Sequence, residues 1–332
     1  MAGDGRFRLH IKNNRAGEEV FRVTPDRLEA ALRRHPEVAR QVDCLVDWDL
    51  DEFDASMRTA DGLLTWDLPT EDLRLRAPRL RWIHVIGAGV DHLAPFDWLP
   101  PGVALTNNSG VHADKFADYA AMALLMLNAG MPRLASAQAR ALWRAEFTTP
   151  IAGKTVAVIG LGAMGRVVVR VARRLGLRVV GVRRSGRPMR QVSQVYRPAQ
   201  LADALGAADF VFLAAPLTAA TRGMIGAAEF AAMRRGAGLV NVGRAPVVDV
   251  AALVAALESG QLSGAMLDVH DPEPLPPDDP LWRVANLTIT PHVSSDAVGD
   301  YMPRTLDLVF DNLGRLLRGR KLRNRVRPRL GY

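Results

Sequence analysis

Short apolar runs, separated by segments with helical spacing, recur along the whole chain. Residues 156–160 form an apolar run that ends in glycines and opens into residues 166–175, where valine, alanine and leucine alternate with arginine at helical spacing. The first reads as a buried strand and the second as an amphipathic helix. Further short apolar runs lie at 178–182, 210–215, 237–242, 264–268 and 287–290, with helix-like segments between several of them, including 250–259. The first hundred residues carry the same pattern more loosely, with strand candidates at 45–48, 62–66, 82–86 and 103–106. Residues 114–130 then read as a long helix rich in Ala, Leu and Met. Strands alternating with helices predict parallel sheets with helices on both faces, an α/β fold.

Length and charge narrow the picture. At about 150 residues per domain, 332 residues predict two domains. The formal charge of +8 invites a nucleic-acid or membrane-surface reading. However, the stretch from Arg315 to Tyr332 holds eight basic residues and no acidic one, and without it the chain is neutral. The body of the protein is therefore not basic, and neither a nucleic-acid nor a membrane partner is expected. The single cysteine, Cys44, excludes a disulfide framework and a cysteine-rich metal site, so no metal is expected. The N-terminal residues lack the basic-then-apolar pattern of a secretory signal, and the longest apolar run, at 119–127, is too short for a bilayer. A cytoplasmic protein is expected.

The glycines after the 156–160 run carry the first chemistry. Gly160, Leu161, Gly162, Ala163, Met164 and Gly165 fit G-x-G-x-x-G between a strand and a helix. In that pattern the first glycine makes the tight turn, the second admits a pyrophosphate and the third allows close helix–strand packing. The helix N-terminus then offers free N–H groups to phosphates. An NAD site normally places a carboxylate about 20 residues further on, on the ribose 2′-OH. Arg183, Arg184 and Ser185 stand there instead, and residues 166–202 hold ten arginines and no acid. Guanidinium groups suit a 2′-phosphate, so NADP(H) is the expected cofactor, with NAD(H) left open. Arg166, Arg170, Arg173 and Arg174 read as a solvated helix face. The dinucleotide strand starts only near Lys154. This places a cofactor domain at residues 107–293, inserted in the middle of a second domain made of residues 1–106 and 294–332. The expected fold is thus two Rossmann-like or flavodoxin-like parallel-sheet domains.

Three further segments place acid–base residues among apolar ones. Arg244 follows one strand-like run, Asp268 and Glu273 follow another, and His292 follows a third. The carboxyl ends of strands in an open parallel sheet face the ligand crevice, so Arg, Glu and His are expected to share one cleft. Alone, each has a plainer reading: a surface ion-pair residue, a loop carboxylate and a strand-end histidine. In order and spacing these segments resemble the D-isomer-specific 2-hydroxyacid dehydrogenase family, from Gly87 through His292. Among its members, the NADPH-dependent reductases of glyoxylate, hydroxypyruvate and related short 2-keto acids are the most similar.

The resemblance implies roles. His292 would be the acid/base, Glu273 its hydrogen-bond support, and Arg244 the partner of substrate carboxylate and keto oxygen. Asp268 would orient the nicotinamide carboxamide. Ile86, Gly87, Ala88 and Gly89 would form a backbone nest for the substrate carboxylate. Ala215 and Pro216 would lie beside the adenine, with Val242 and Gly243 also at the cofactor. The long helix at 116–131 would contribute to a homodimer interface. Two departures stand out: Ala245 and Pro246 follow Arg244 where the family usually has glycine, and His270 replaces a usual Phe, where it could compete as a proton donor. A dinucleotide-sensing, corepressor-like binding protein is the rival reading, since such proteins retain the triad. The basic tail is expected to be solvated or to contact a second subunit.

Overall fold

A computed structural model describes residues 5–332. The start of the N-terminal stretch read above for a secretory pattern, residues 1–4, lies outside the described residues. The chain divides into two compact units: the residues up to His112 together with Asp296–Tyr332, and Ala113–Ser295. The sequence placed these divisions at 106/107 and 293/294. Residues 107–112 stay with the first unit because its last strand runs to Asn107, and Asn108 is fixed by buried hydrogen bonds to His84 and Thr305.

The first unit holds β1 (Phe7–Asn13), β2 (Val42–Trp48), β3 (Gly62–Thr65), β4 (Trp82–Val85) and β5 (Ala104–Asn107). All pairings are parallel, in the order β2-β1-β3-β4-β5. This is the flavodoxin-like order. β3, β4 and β5 are buried throughout, as a sheet covered on both faces requires. On one face Phe7, Leu9 and Ile11 pack with Leu28 and Ala31 of the helix Pro25–Arg34 and with Leu306, Val309, Phe310 and Leu313 of the helix Tyr301–Leu317. Phe53, Met57, Leu73 and Leu93 cover the other face with Leu63, Ile83, Val85 and Leu105. The Thr24 side chain accepts the Arg27 N–H at the start of its helix, a cap worth about 1 kcal/mol.

β1 was not among the sequence candidates, because His10, Lys12 and Asn13 interrupt its apolar run. The structure buries all three and gives each a hydrogen-bond partner further along the chain. His10 Nδ1 lies 2.9 Å from Ser56 Oγ, Lys12 Nζ meets Asp67 at 2.5 Å, and Asn13 exchanges two hydrogen bonds with the Val23 backbone.

The basic tail also differs from expectation. Arg315 still belongs to the last helix, and the following chain folds back onto the first sheet. Val326 is core, Arg325 bridges Thr106 antiparallel, and Asn324 donates to the Asn107 and Ser109 carbonyls. Its basic side chains from Arg318 onward are exposed, while part of its backbone is bound into the fold.

The second unit holds β6 (Thr155–Ile159), β7 (Arg178–Val182), β8 (Gln194–Tyr196), β9 (Phe210–Leu213), β10 (Ala237–Asn241), β11 (Leu262–Leu267) and β12 (Leu287–Ile289). They pair in parallel in the order β12-β11-β10-β9-β6-β7-β8. The chain builds one side of the sheet from β6 to β8 and then returns to add β9 to β12. That reversal makes a switch point between β6 and β9, the Rossmann arrangement. The helix Ala163–Arg174 buries Val167, Val168, Val171 and Ala172 against β6, β7 and the helix Ala113–Asn128, and leaves Arg166, Arg170, Arg173 and Arg174 in solvent. Each such buried valine stabilises by roughly 1.5–3 kcal/mol. The helix Val250–Glu258 covers the opposite face. The expected long helix ends at Asn128; Gly130, with φ of +71°, separates it from a second helix, Met131–Ala139. Among the described residues, no helix is long and apolar enough to cross a membrane.

Candidate active site

The glycine turn is built as its spacing requires. Gly160 follows β6 with φ of +99°, and a Cβ there would lie 2.7 Å from the Ala214 and Ala215 backbone. A Cβ on Gly165 would lie 1.9 Å from the Gly160 carbonyl oxygen, so helix and strand can approach only without it. Gly162 caps the helix, and a Cβ there would meet nothing within 4 Å. Ala163 and Met164 form the first helical turn, whose N–H groups carry the positive end of the helix dipole. This cradle fits a dinucleotide pyrophosphate. Leu161 is buried beneath it. Ala215 and Pro216 follow β9, and the Ala215 carbonyl lies 2.6 Å from the Cβ position of Gly243, so Val242 and Gly243 after β10 run against the same edge.

At the end of β7, Arg183 is half-buried, and Arg184 and Ser185 are exposed. The Arg183 N–H donates to the Tyr196 carbonyl on neighbouring β8, and Gly186 closes the turn onto the Arg183 carbonyl. Arg197, just past β8, was not singled out from the sequence. Its side chain lies 2.8 Å from the Cβ position of Gly186, which has φ of +61°, so a third guanidinium stem borders this turn. Three weakly apolar residues carry too little signal for β8 to be legible, and the placement of Arg197 depends on that strand.

Arg244, Asp268 and His292 emerge just beyond the carboxyl ends of the adjacent strands β10, β11 and β12. Buried Asn241 fixes the Arg244 turn: its Oδ1 accepts the Gly243 N–H at 3.0 Å, and its Nδ2 donates to the Arg244 carbonyl at 3.1 Å. Ala245 and Pro246, the departures noted above, continue into a single helical turn, Ala245–Val247, and the Pro246 carbonyl accepts the Gly223 N–H. His292 Nδ1 lies 2.7 Å from Glu273 Oε2. Glu273 Oε1 accepts the His270 backbone N–H at 2.8 Å.

The electrostatics follow from these contacts. The hydrogen bond to Glu273 raises the His292 pKa above its ordinary 6.5, outweighing partial burial and the opposing Arg244 charge. Burial pushes the Glu273 carboxyl upward, but the bonds from His292 and the His270 N–H outweigh it and hold it below the usual carboxylate value. Arg244 is half-buried and close enough for its charge to act on His292.

Asp268 is fully buried, and its bonds run to the histidine loop. Oδ1 accepts from Thr290 Oγ1 at 2.6 Å and from the Val293 N–H at 3.0 Å; Oδ2 accepts the Ser294 N–H at 3.0 Å. Tyr119 donates to Thr290 Oγ1 at 2.8 Å. The sequence singled out Asp268 because it follows a strand-like run, but Thr290 and Tyr119 carried no signal. The ring of His270 is committed as well: Nε2 lies 3.0 Å from the Thr290 carbonyl, to which it must donate. That geometry argues against His270 as a rival acid.

In the first unit, the loop after β4 has its carbonyls turned to the protein. The Ile86 carbonyl accepts from Tyr301 Oη and Asn108 Nδ2, that of Gly87 from the Asn108 N–H, and that of Ala88 from Asn107 Nδ2. In trans peptides the following N–H groups, those of Gly87, Ala88 and Gly89, then point the opposite way. A Cβ on Gly87 would lie 2.3 Å from the Trp66 ring, so the loop passes under that side chain.

Comparison with known proteins agrees with this architecture. Residues 121–294 match the family description "D-isomer specific 2-hydroxyacid dehydrogenase, NAD binding domain". A glyoxylate reductase of Korarchaeum cryptofilum is 35% identical over 253 residues, covering 73% of this chain and 75% of its own. A glyoxylate/hydroxypyruvate reductase B of Citrobacter koseri is 30% identical over 318 residues, covering 94% of this chain and 98% of its own. The solved structure of a D-isomer specific 2-hydroxyacid dehydrogenase from Xanthobacter autotrophicus Py2, in complex with NADPH and MES, superposes with a TM-score of 0.84 at 30% identity, covering 99% of this chain and 100% of the other. The chain belongs to the D-isomer specific 2-hydroxyacid dehydrogenase family and is an NAD(P)-dependent oxidoreductase of that class.

Proposed function

We propose that this protein is an NADPH-preferring reductase of short 2-keto acids such as glyoxylate or hydroxypyruvate, yielding D-2-hydroxy acids. The observation that carries the reading is the His292–Glu273 pair at 2.7 Å beside Arg244, at the carboxyl edge of a sheet with a dinucleotide turn. The names of the relatives and the NADPH bound to the Xanthobacter protein support the substrate class and the cofactor.

The cofactor, when bound, supplies the hydride that the carbonyl carbon receives. His292 gives the proton that the keto oxygen takes up, so the product is a neutral hydroxyl. Glu273 accepts the Nδ1–H and leaves Nε2–H as the transferable proton; its charge keeps the imidazolium populated near neutral pH. Arg244 binds the substrate carboxylate and neutralises charge developing on the keto oxygen. The amides of Gly87, Ala88 and Gly89 supply a nest for the carboxylate. Asp268 holds the loop that carries His292, and Arg183 and Arg184 take the 2′-phosphate.

A panel of 2-keto acids assayed with both cofactors tests the reading. Glyoxylate and hydroxypyruvate should oxidise NADPH at least about tenfold more efficiently than branched or aromatic keto acids, because one methylene in a shaped pocket already discriminates about 10-fold or more. Tight NADPH binding with no turnover of any keto acid would replace this reading with the corepressor-like one.

A homodimer belongs to the same proposal. Met122 and Leu125 face outward on the helix Ala113–Asn128, and Trp143 and Phe147 in the segment after the helix Met131–Ala139 are 100% and 96% exposed. An ion pair between Arg133 and Glu146 holds that segment to the second helix. Large exposed aromatics of this kind mark contact surfaces. Sedimentation at micromolar concentration should give a dimer, and the double variant W143E/F147E should give monomers. A monomeric parent chain would refute the proposal.

A further inference from the structure

His270 is a histidine that the reaction does not use, yet it bonds to both loops that do. Its backbone N–H holds Glu273 Oε1 at 2.8 Å, and its ring Nε2–H holds the Thr290 carbonyl at 3.0 Å. The same Thr290 carbonyl accepts the His292 N–H at 3.0 Å, closing a tight turn around Pro291. His292 itself has φ of +54°. A residue with a Cβ costs roughly 1–2 kcal/mol in that left-handed region, so the turn persists only if its neighbours hold it.

Asp268 grips this turn from one side, through Thr290 Oγ1 and the Val293 and Ser294 amides. His270 grips its carbonyl and, through its own backbone, the carboxylate partner of His292. We propose that His270 is a positioning residue that clamps the Glu273 loop to the His292 turn, so that the acid and its carboxylate keep their register. The inference rests on the reading of His292 as the acid. The charged and titratable groups acting on His292 are Glu273, Arg244 and Asp268, with His270 acting on Glu273.

The clamp separates activity from stability. His270 Nδ1 is buried and has no hydrogen-bond partner among the described residues. A phenylalanine therefore gives up one hydrogen bond, relieves one buried lone pair and keeps a ring of similar size. A merely structural histidine would tolerate that exchange without effect on the chemistry. A positioning histidine would lose rate while the fold stays as stable or becomes more so.

The experiment compares H270F, H270M and H270Q as full-length enzymes, with H292A as reference. Each is assayed for NADPH oxidation with glyoxylate across pH and melted by circular dichroism. H270F and H270M should lower kcat about 3- to 10-fold, the range one net hydrogen bond covers. KM for NADPH should not change, and the falling limb of the pH profile should move to lower pH as Glu273 loses its hold. The amide nitrogen of H270Q can reach the Thr290 carbonyl as Nε2 does, and it should restore both rate and limb. If the donor-free variants keep the parental kcat and profile, the proposal is overturned; so it is if folded H270Q behaves like them. If H292A itself retains parental activity, the underlying reading of the site fails instead.

Discussion

H292A should lower kcat for keto-acid reduction by about 10²–10⁴, the range general acid–base catalysis covers, without loss of fold. His292 lies at the exit of the edge strand β12 and belongs to no core cluster, so its removal leaves packing intact. R244A should cost about 10²–10³, because it removes the cation that meets charge developing in the transition state. NADPH oxidation at saturating cofactor, with circular dichroism on each variant, measures both losses.

The pH profile adds a directional check. Reduction needs protonated His292, so kcat/KM should fall as pH rises through its pKa, which the Glu273 bond places above 6.5. E273Q keeps a hydrogen-bonding group but removes the charge, so the limb should move to lower pH. Parental rates in both H292A and R244A would show the site assignment to be wrong. An unmoved limb in E273Q would remove Glu273 from it.

The second large effect concerns the cofactor. R183A and R184A should each raise KM for NADPH about 10- to 100-fold, as expected for one charge-assisted hydrogen bond of roughly 1.5–3 kcal/mol. Neither should change KM for NADH by more than about twofold, since NADH lacks the phosphate that carries those contacts. The double variant should lose the NADPH preference. The measured quantity is the ratio of kcat/KM for the two cofactors, and a ratio that survives both substitutions would leave these arginines as solvated surface.

Much of this site was legible because its signals are local. The glycines of the 160–165 turn, the strand β6 before them and the helix after them lie within one short stretch, and backbone sterics dictate their identity. Arg244, Asp268 and His292 were legible because each follows a short, mostly apolar run that reads as a strand. What escaped was satisfied at a distance. β1 was hidden by His10, Lys12 and Asn13, whose partners Ser56, Asp67 and Val23 lie elsewhere in the chain, outside that strand. Tyr119 reaches Thr290 across 171 positions, and Asn108 reaches Thr305 across 197. A hydrophobicity pattern records which residues prefer to be dry, not which polar residue another will pair with. The tail escaped for a related reason: eight charges masked the few residues, Asn324 and Val326 among them, that anchor it.

That tail has a use beyond anchorage. β5 is the last strand of its sheet, and among the described residues no further named strand pairs with it. A bare edge strand is a template on which another chain can add a strand and begin an aggregate. The bridge between Arg325 and Thr106, with Asn324 bonded to Asn107 and Ser109, occupies backbone groups on that edge. The exposed arginines around it add the charge that discourages edge-to-edge pairing. The basic end of the chain therefore covers part of an edge that would otherwise present unpaired backbone groups.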